Sequence, residues 1–376
     1  MKELLQYATP AQRRVLEAVI SAGSNTKAAR RLGLGRRTVD RVVNRVKEQA
    51  EVQDVEFDIP AGQKLKGVST LIKNGETVLQ WVKTTQDQEK QAELLKAAIE
   101  EMQADLPRVA PITAPNVAQP SLCNVYTLTD SHVGMLAWSQ EGGADWNLDI
   151  AEETLVGCFA AMVKASPSAE TCVVAQLGDW MHYDGHVAQT PMHKHPLDAD
   201  GRFGKMVKVA IRILRRVIDM ALAKHRKVVV VMAEGNHDMA SSVWLRAMFS
   251  ALYENEPRLT VVDSELPYYV HQHGDTMLAW HHGHLQKNSQ LPLTFAAQFP
   301  KIWGNTTKRY CHTGHRHHVE EKEHSGMTVI QHPTLAARDA YAARGGWIAE
   351  RQVTSITYSN KFGEVARNTV TPEMLA

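Results

Sequence analysis

The residues best suited to chemistry in this 376-residue chain stand at the ends of apolar runs. Lys227-Val-Val-Val-Val-Met232 leads into Gly235-Asn236-His237-Asp238. Four consecutive valines read as a strand buried on both faces. Gly235 then permits a sharp turn that presents an amide, an imidazole and a carboxylate. Taken alone, such a turn is equally compatible with an ordinary polar loop. The device recurs, however. Val125 to Thr129 runs into Asp130-Ser131-His132, and Cys172 to Leu177 runs into Gly178-Asp179. Met277 to Trp280 runs into His281-His282-Gly283-His284, and Arg309 to Thr313 into Gly314-His315-Arg316-His317. Sites in open α/β sheets gather at the carboxyl ends of strands, so five such endings predict one shared site. Mixed imidazole and carboxylate donors suit manganese, iron or zinc, whereas an all-oxygen set suits magnesium or calcium. Two such cations about 3.5–4 Å apart activate water against a phosphate ester, and a hydroxide between them attacks in line.

Helices must hold these strands. From Leu122 onward strands alternate with amphipathic segments, notably Leu148 to Val163 and Phe203 to Ala223. The second carries a basic face of Lys205, Lys208, Arg212, Arg215 and Arg216. Between Asp179 and Arg202 lies an insertion rich in His, Asp and Gly, long for a connection between strand and helix and therefore a candidate functional loop. Arg338, Tyr341 and Arg344 flank a Gly-Gly pair and are compatible with a groove rim or with solvated surface; residues 347–376 read as closing strands.

The ordered set Asp-x-His, Gly-Asp, Gly-Asn-His-Asp, His-Gly and Gly-His-x-His resembles the calcineurin-like metallophosphoesterase superfamily over roughly residues 122–335. The resemblance implies an α/β fold, a four-layer αββα sandwich, and two divalent transition-metal ions, with manganese the first expectation and iron or zinc compatible. By motif, Asp130, His132 and His317 would hold one metal and Asn236, His282 and His315 the other, with Asp179 bridging. His237 would serve as general acid. His281 competes with His282 for the ligand position, and the His-Gly pattern favours His282. His318 is expected to support His317, and His284 also lies within reach. His182, three residues after Asp179, matches a substrate-positioning histidine of the DNA-repair-nuclease branch. The acidic residue and Arg-Gly of the protein-phosphatase branch are absent from Gly178-Asp-Trp-Met-His-Tyr-Asp-Gly185.

The N-terminal fifty residues have another character. They hold eleven basic against four acidic residues, a net +7 in a chain whose total is +1, while all eighteen histidines lie at or beyond His132. Such asymmetry points to a nucleic-acid-binding head. Three helices are predicted, at residues 10–22, 26–32 and 36–49. Thr9 and Pro10 open the first, and Gly33-Leu34-Gly35 forms the turn before the third. The Ala28-Ala29-Arg30-Arg31-Leu32-Gly33-Leu34 and Arg37-Thr38-Val39 pieces resemble the helix-turn-helix family, which would place Arg36, Arg37, Arg41 and Arg45 toward DNA. A protein partner is the competing expectation. A hairpin around Lys73-Asn74-Gly75-Glu76 and a polar helix from Gln86 to Leu106 make a connector. The expected domains are a head over 1–50, a connector over 51–106, a proline-rich linker over 107–121 and a catalytic domain over 122–376.

Four scattered cysteines without a C-x-x-C exclude a disulfide scaffold and a cysteine zinc site. No signal peptide or membrane span is legible, so a cytoplasmic protein is expected. A helix-turn-helix head on a metallophosphoesterase looks like phosphoesterases encoded by bacteriophages, which implies a phosphodiesterase or nuclease acting on DNA in the host cytoplasm. The competing expectation is a phosphomonoesterase or small-nucleotide phosphodiesterase whose head serves homo-oligomerisation or partner binding.

Overall fold

The computed structural model describes residues 3–53, 63–73, 76–86, 109–116 and 118–375, which fall into two compact units, 1–97 and 98–376. In the first unit, α1 (Pro10–Ala22) opens on a reciprocal cap. Gln12 donates its N–H to the Thr9 hydroxyl, and its side chain accepts the Thr9 N–H at 2.9 Å. Ser24 caps α2 (Asn25–Leu32), and Gly33, at φ 65°, turns the chain into α3 (Arg36–Gln53). α3 runs four residues beyond its expected end. Leu16, Ala28, Val39 and Val46 are fully buried between the three helices. Strands β1 (Gln63–Lys73) and β2 (Glu76–Gln86) pair antiparallel, with Lys73 opposite Glu76. Gln86 therefore ends a strand, while the turn residues 74–75 and the remainder of the expected helix to Leu106 lie outside the described residues.

In the second unit, the stretch expected as a linker is extended but held from Val109 onward. Val109 is buried and donates its N–H to the Leu252 carbonyl at 2.9 Å. The Ile112 N–H reaches Glu256 at 2.9 Å, and Arg226 donates to the carbonyls of Pro115 and Asn116. Prolines leave few N–H groups to satisfy here, so the chain can lie flat while Val109 and Ile112 take up apolar contacts. The first strand then begins at Gln119.

Six strands form the larger sheet, in the order β13 (Gly363–Val370), β12 (Val353–Ser359), β3 (Gln119–Leu128), β4 (Ala169–Gln176), β5 (Lys227–Met232) and β6 (Leu259–Val261). β3 to β6 are parallel, and β12 is antiparallel to both its neighbours. Five strands form the smaller sheet, β10 (Glu320–His324), β11 (Met327–Gln331), β9 (Lys308–Thr313), β8 (Thr276–Trp280) and β7 (Tyr269–His273), with β8, β9 and β11 parallel.

Alternation along each strand builds the layers. Val125, Val173, Val231 and Ile356 of the larger sheet pack on Leu278, Trp280 and Ile330 of the smaller. Tyr126, Val174 and Val230 point the other way, into Phe159 of α4 (Leu148–Ala165), Ile213 of α5 (Phe203–Lys224) and Phe249 of α6 (Met239–Leu252). Beyond the smaller sheet, Met277, Cys311 and Val329 meet Leu291 and Phe295 of α7 (Leu291–Gln298), which is followed by α8 (Pro300–Gly304). The fold is a four-layer αββα sandwich. All four cysteines are buried and free. Among the described residues no helix is long and apolar enough to cross a membrane.

Candidate metal centre

The parallel strands β3, β4, β5, β8 and β9 deliver their following residues to one place. Asp130, His132, Asp179, His315 and His317 all take positive φ, between 41° and 69°. Non-glycine residues adopt this left-handed backbone at a cost of about 1 kcal/mol or more each, and only where the surroundings enforce it.

For Asp130 the surroundings are visible. Thr129 donates its hydroxyl to Asp130 Oδ2 at 2.6 Å, the His315 N–H donates to the same oxygen at 2.8 Å, and the Thr334 hydroxyl holds the Asp130 carbonyl at 2.6 Å. Gly314 lies so close that a Cβ there would stand 2.0 Å from Thr129 Oγ1 and 2.5 Å from Asp130 Oδ2. Gly235 makes the same approach to Asp179, at 2.0 Å from Oδ1. The glycines of these motifs thus clear room for the carboxylates, a tighter constraint than turn flexibility.

Two donor groups result, each with its atoms within 4.8 Å of one another: Asp130, His132 and His317, and Asp179, His282 and His315. In the first, Nε2 of His317 stands 3.1 Å from Asp130 Oδ1 and 3.4 Å from His132 Nε2. In the second, Nε2 of His282 stands 3.2 Å from Asp179 Oδ2 and 3.3 Å from Asn236 Oδ1. The same nitrogen is 3.9 Å from Asp130 Oδ1, so the two groups adjoin. Imidazole nitrogens and carboxylate oxygens gathered this closely could hold divalent metal ions; six of the seven residues expected as ligands lie in these two groups, and Asn236 stands beside the second.

The paired histidines separate cleanly. His282 faces the carboxylates and fixes its ring by an Nδ1–H bond to the Leu177 carbonyl at 2.8 Å, the arrangement that orients metal-binding imidazoles. His281 is turned away, stacked on Tyr268 with its Nδ1 accepting the Gly283 N–H at 2.9 Å. His318 does not support His317; it is exposed and turned to the Arg316 carbonyl. His284 packs its ring against His282 and His315, and both its ring nitrogens are buried without a hydrogen-bond partner among the described residues.

His237 is half-buried and donates Nδ1–H to the His182 carbonyl at 2.8 Å, which leaves Nε2 to serve the site. The His182 ring is buried, with Nδ1 3.2 Å from His132 Nδ1 and its face stacked on His237. It reaches His132 and His237 where the sequence suggested contact with substrate. These three histidines form a further donor group sharing His132. Arg344 pairs with Glu141 at 3.9 Å, and Tyr341 is exposed.

Asp238, the last residue of the Gly-Asn-His-Asp motif, is given no separate role by the sequence, and the structure supplies one. It is fully buried, and its carboxylate accepts the N–H groups of Asp179, Trp180, Met181 and Gly235 at 2.7–3.2 Å. It therefore ties the loop after β4 to the loop after β5. Its place directly after Asn236-His237 was the available signal. The long insertion is likewise structural in part, since Asp184 accepts the Ala240 and Ser241 N–H groups at the start of α6.

Burial alone would raise the Asp130 and Asp179 carboxyls, but the neighbouring imidazoles outweigh it and hold both below the usual carboxylate range. Burial opposes the charged form of His282 too, yet Asp179 and Asp130 lift it to about 10, and Asp130 lifts His317 in the same direction. A metal needs the neutral imidazole, so loading at pH 7 should release a proton from His282. Apparent metal affinity should accordingly climb with pH and level off near 10. Proton release measured with a pH indicator during manganese titration checks this; pH-independent affinity would contradict it. The metal-free fold should gain stability from His282 that is full below about pH 6.5. That gain is lost as pH rises through about 10. The two carboxylates contribute stability above about pH 4 that disappears on acidification.

In the head, Arg37, Arg41 and Arg45 follow one stripe of α3, exposed opposite the buried Val39, Val43 and Val46; Arg36 is exposed and stands 3.6 Å from Asp40.

No family description and no curated protein matches this chain. Among solved structures, it is similar to a conserved protein of Streptococcus pneumoniae described as a predicted phosphoesterase, at 11% identity over 68% of this chain and 92% of the other, with a TM-score of 0.29. It is similar also to wild-type Vps29 of Entamoeba histolytica in complex with zinc, at 14% identity over 67% and 99% of the two chains, with a TM-score of 0.27. Likenesses this distant add nothing to the geometry.

Proposed function

We propose that this chain is a calcineurin-like metallophosphoesterase that hydrolyses phosphodiesters, with DNA as the substrate its basic head brings to the site. The observation that supports this most is the adjacency of the two donor groups through His282, whose Nε2 lies within 3.9 Å of both Asp130 and Asp179. A bound pair of divalent ions, manganese being the first to test, supplies Lewis acidity and a nucleophile at neutral pH. The remaining work falls to side chains. Asp130 and Asp179 set the donor positions, locked by Thr129, the His237 N–H and the glycine approaches. Asn236 adds a neutral oxygen, which leaves the centre positive enough to attract a phosphate. His237, oriented by the His182 carbonyl, gives a proton to the leaving oxygen through Nε2. The head contributes by raising the local concentration of polymer substrate.

The full chain loaded with manganese should cleave bis-p-nitrophenyl phosphate and DNA, lose both activities to a chelator and regain them with the metal. Inert esters with every divalent metal would overturn the reading. Diester turnover with intact DNA would remove its nucleic-acid part, and preference for monoesters would favour a phosphomonoesterase.

A further inference from the structure

A cavity of 740 Å³ opens beside the metal centre, lined by Tyr183, His186, Arg202, Phe203, Lys205 and Lys208 together with glycines and an alanine. Its position follows from the insertion after β4. Tyr183 is the next residue after His182, whose ring touches His132 and His237. The far end of the insertion returns to the same place, with the Asp200 N–H donating to the Gly134 carbonyl at 2.9 Å. The cavity is thus joined to the loop that carries His132.

Its walls combine two kinds of group. Phe203 is half-buried between Tyr183, a buried floor 5.8 Å away between ring centroids, and His186, exposed at 5.9 Å. Around these rings stand three cations. Lys205 lies 3.9 Å from Asp200, whose other oxygen accepts the Leu148 N–H. Arg202 and Lys208 have no acidic partner among the described residues. Further along the same basic face Arg212 and Arg216 share Glu152, and Arg215 has no acidic partner among the described residues. Two of the three cations at the cavity thus stand without a counter-charge among the described residues.

We propose that this cavity is a subsite for single-stranded nucleic acid, holding an unpaired base against Phe203 and His186 and its flanking phosphates on Arg202 and Lys208. The inference rests on the phosphodiesterase reading for the identity of the substrate, and on the cavity alone for its strandedness. Aromatic rings in a concave site engage bases only when these are unstacked, and a duplex presents none. Cations without counter-charges suit the phosphates on either side. The volume falls in the range of nucleotide-sized pockets, about 300–1,000 Å³. The metal centre would then act on a strand that the insertion loop grips at a neighbouring nucleotide.

The test is binding of the metal-free full chain to fluorescent oligothymidylate, to an abasic strand of equal length, to duplex DNA and to thymidine monophosphate. R202E/K208E should weaken oligothymidylate binding about tenfold or more and flatten its salt dependence. F203L keeps the apolar volume and removes the ring, so it should weaken oligothymidylate about fivefold while leaving the abasic strand unchanged. A head variant, R36E/R37E, supplies the background against which both losses must persist. Unchanged oligothymidylate binding in either variant would overturn the proposal, as would an equal F203L loss on the abasic strand. Monophosphate binding as tight as the oligomer would also overturn it, marking a free-nucleotide site. Absence of ester turnover in every loaded form would sink the phosphodiesterase reading alone, since the binding series still decides the cavity.

Discussion

Asp179→Asn should reduce turnover of bis-p-nitrophenyl phosphate by about a thousandfold or more and lower the bound metal below two ions per chain. The substitution keeps the shape of the side chain. Oδ1 still accepts the His237 N–H, now at 2.8 Å, so the loop after β5 is not released. What changes is the charge and the atom facing His282 Nε2 at 3.2 Å, which becomes an amide and can no longer balance two cations. The loss of the neighbouring carboxylate also removes the largest influence raising His282, so proton release on loading should shrink together with the metal content. Elemental analysis of the purified variant beside its steady-state rate gives both readouts. A full metal complement with unaltered turnover would show that Asp179 bridges nothing.

His237→Ala should act differently, lowering turnover by about 100- to 10,000-fold while leaving metal content intact. The side chain is anchored through Nδ1 to the His182 carbonyl, outside the two groups built on Asp130 and Asp179, so its removal leaves their donors in place. A general acid matters in proportion to how poor the leaving group is. The loss should therefore be severe on DNA, which expels an alkoxide, and slight on bis-p-nitrophenyl phosphate, whose phenolate needs no proton. Equal losses on the two substrates would assign His237 to orientation or charge stabilisation. Loss of metal would make it a ligand, through the group it forms with His132 and His182.

Much of this centre was legible because its signals are local. An apolar run followed by glycine and a ligand-type residue marks a strand and its end within ten residues, and all five such runs became strands of the sandwich. The cap at Thr9 and the glycine at 33 likewise marked the ends of head helices in a few residues each. Other features depend on which distant groups meet. Nothing adjacent to Val109 announces that it will donate to Leu252, and nothing around His182 announces that its ring will be buried against His132. Nothing around Asp238 announces its partners either, because the four N–H groups it gathers come from two separate loops.

By itself the sequence determined part of the inventory: the five strands that lead into the site, which of their ends carry imidazole and carboxylate, and that basic charge concentrates in the first fifty residues. Only the tertiary structure decided the order of strands in two sheets, the stacking of His281 on Tyr268 away from the carboxylates, and the gathering of cations beside Phe203. The reason is one of range. Hydrophobic periodicity and turn chemistry act between neighbours along the chain, whereas the facing of a ring or the neutralisation of a charge is often set by groups far along it, as Leu177 is from His282 and Glu152 from Arg212, which only the folded chain brings together.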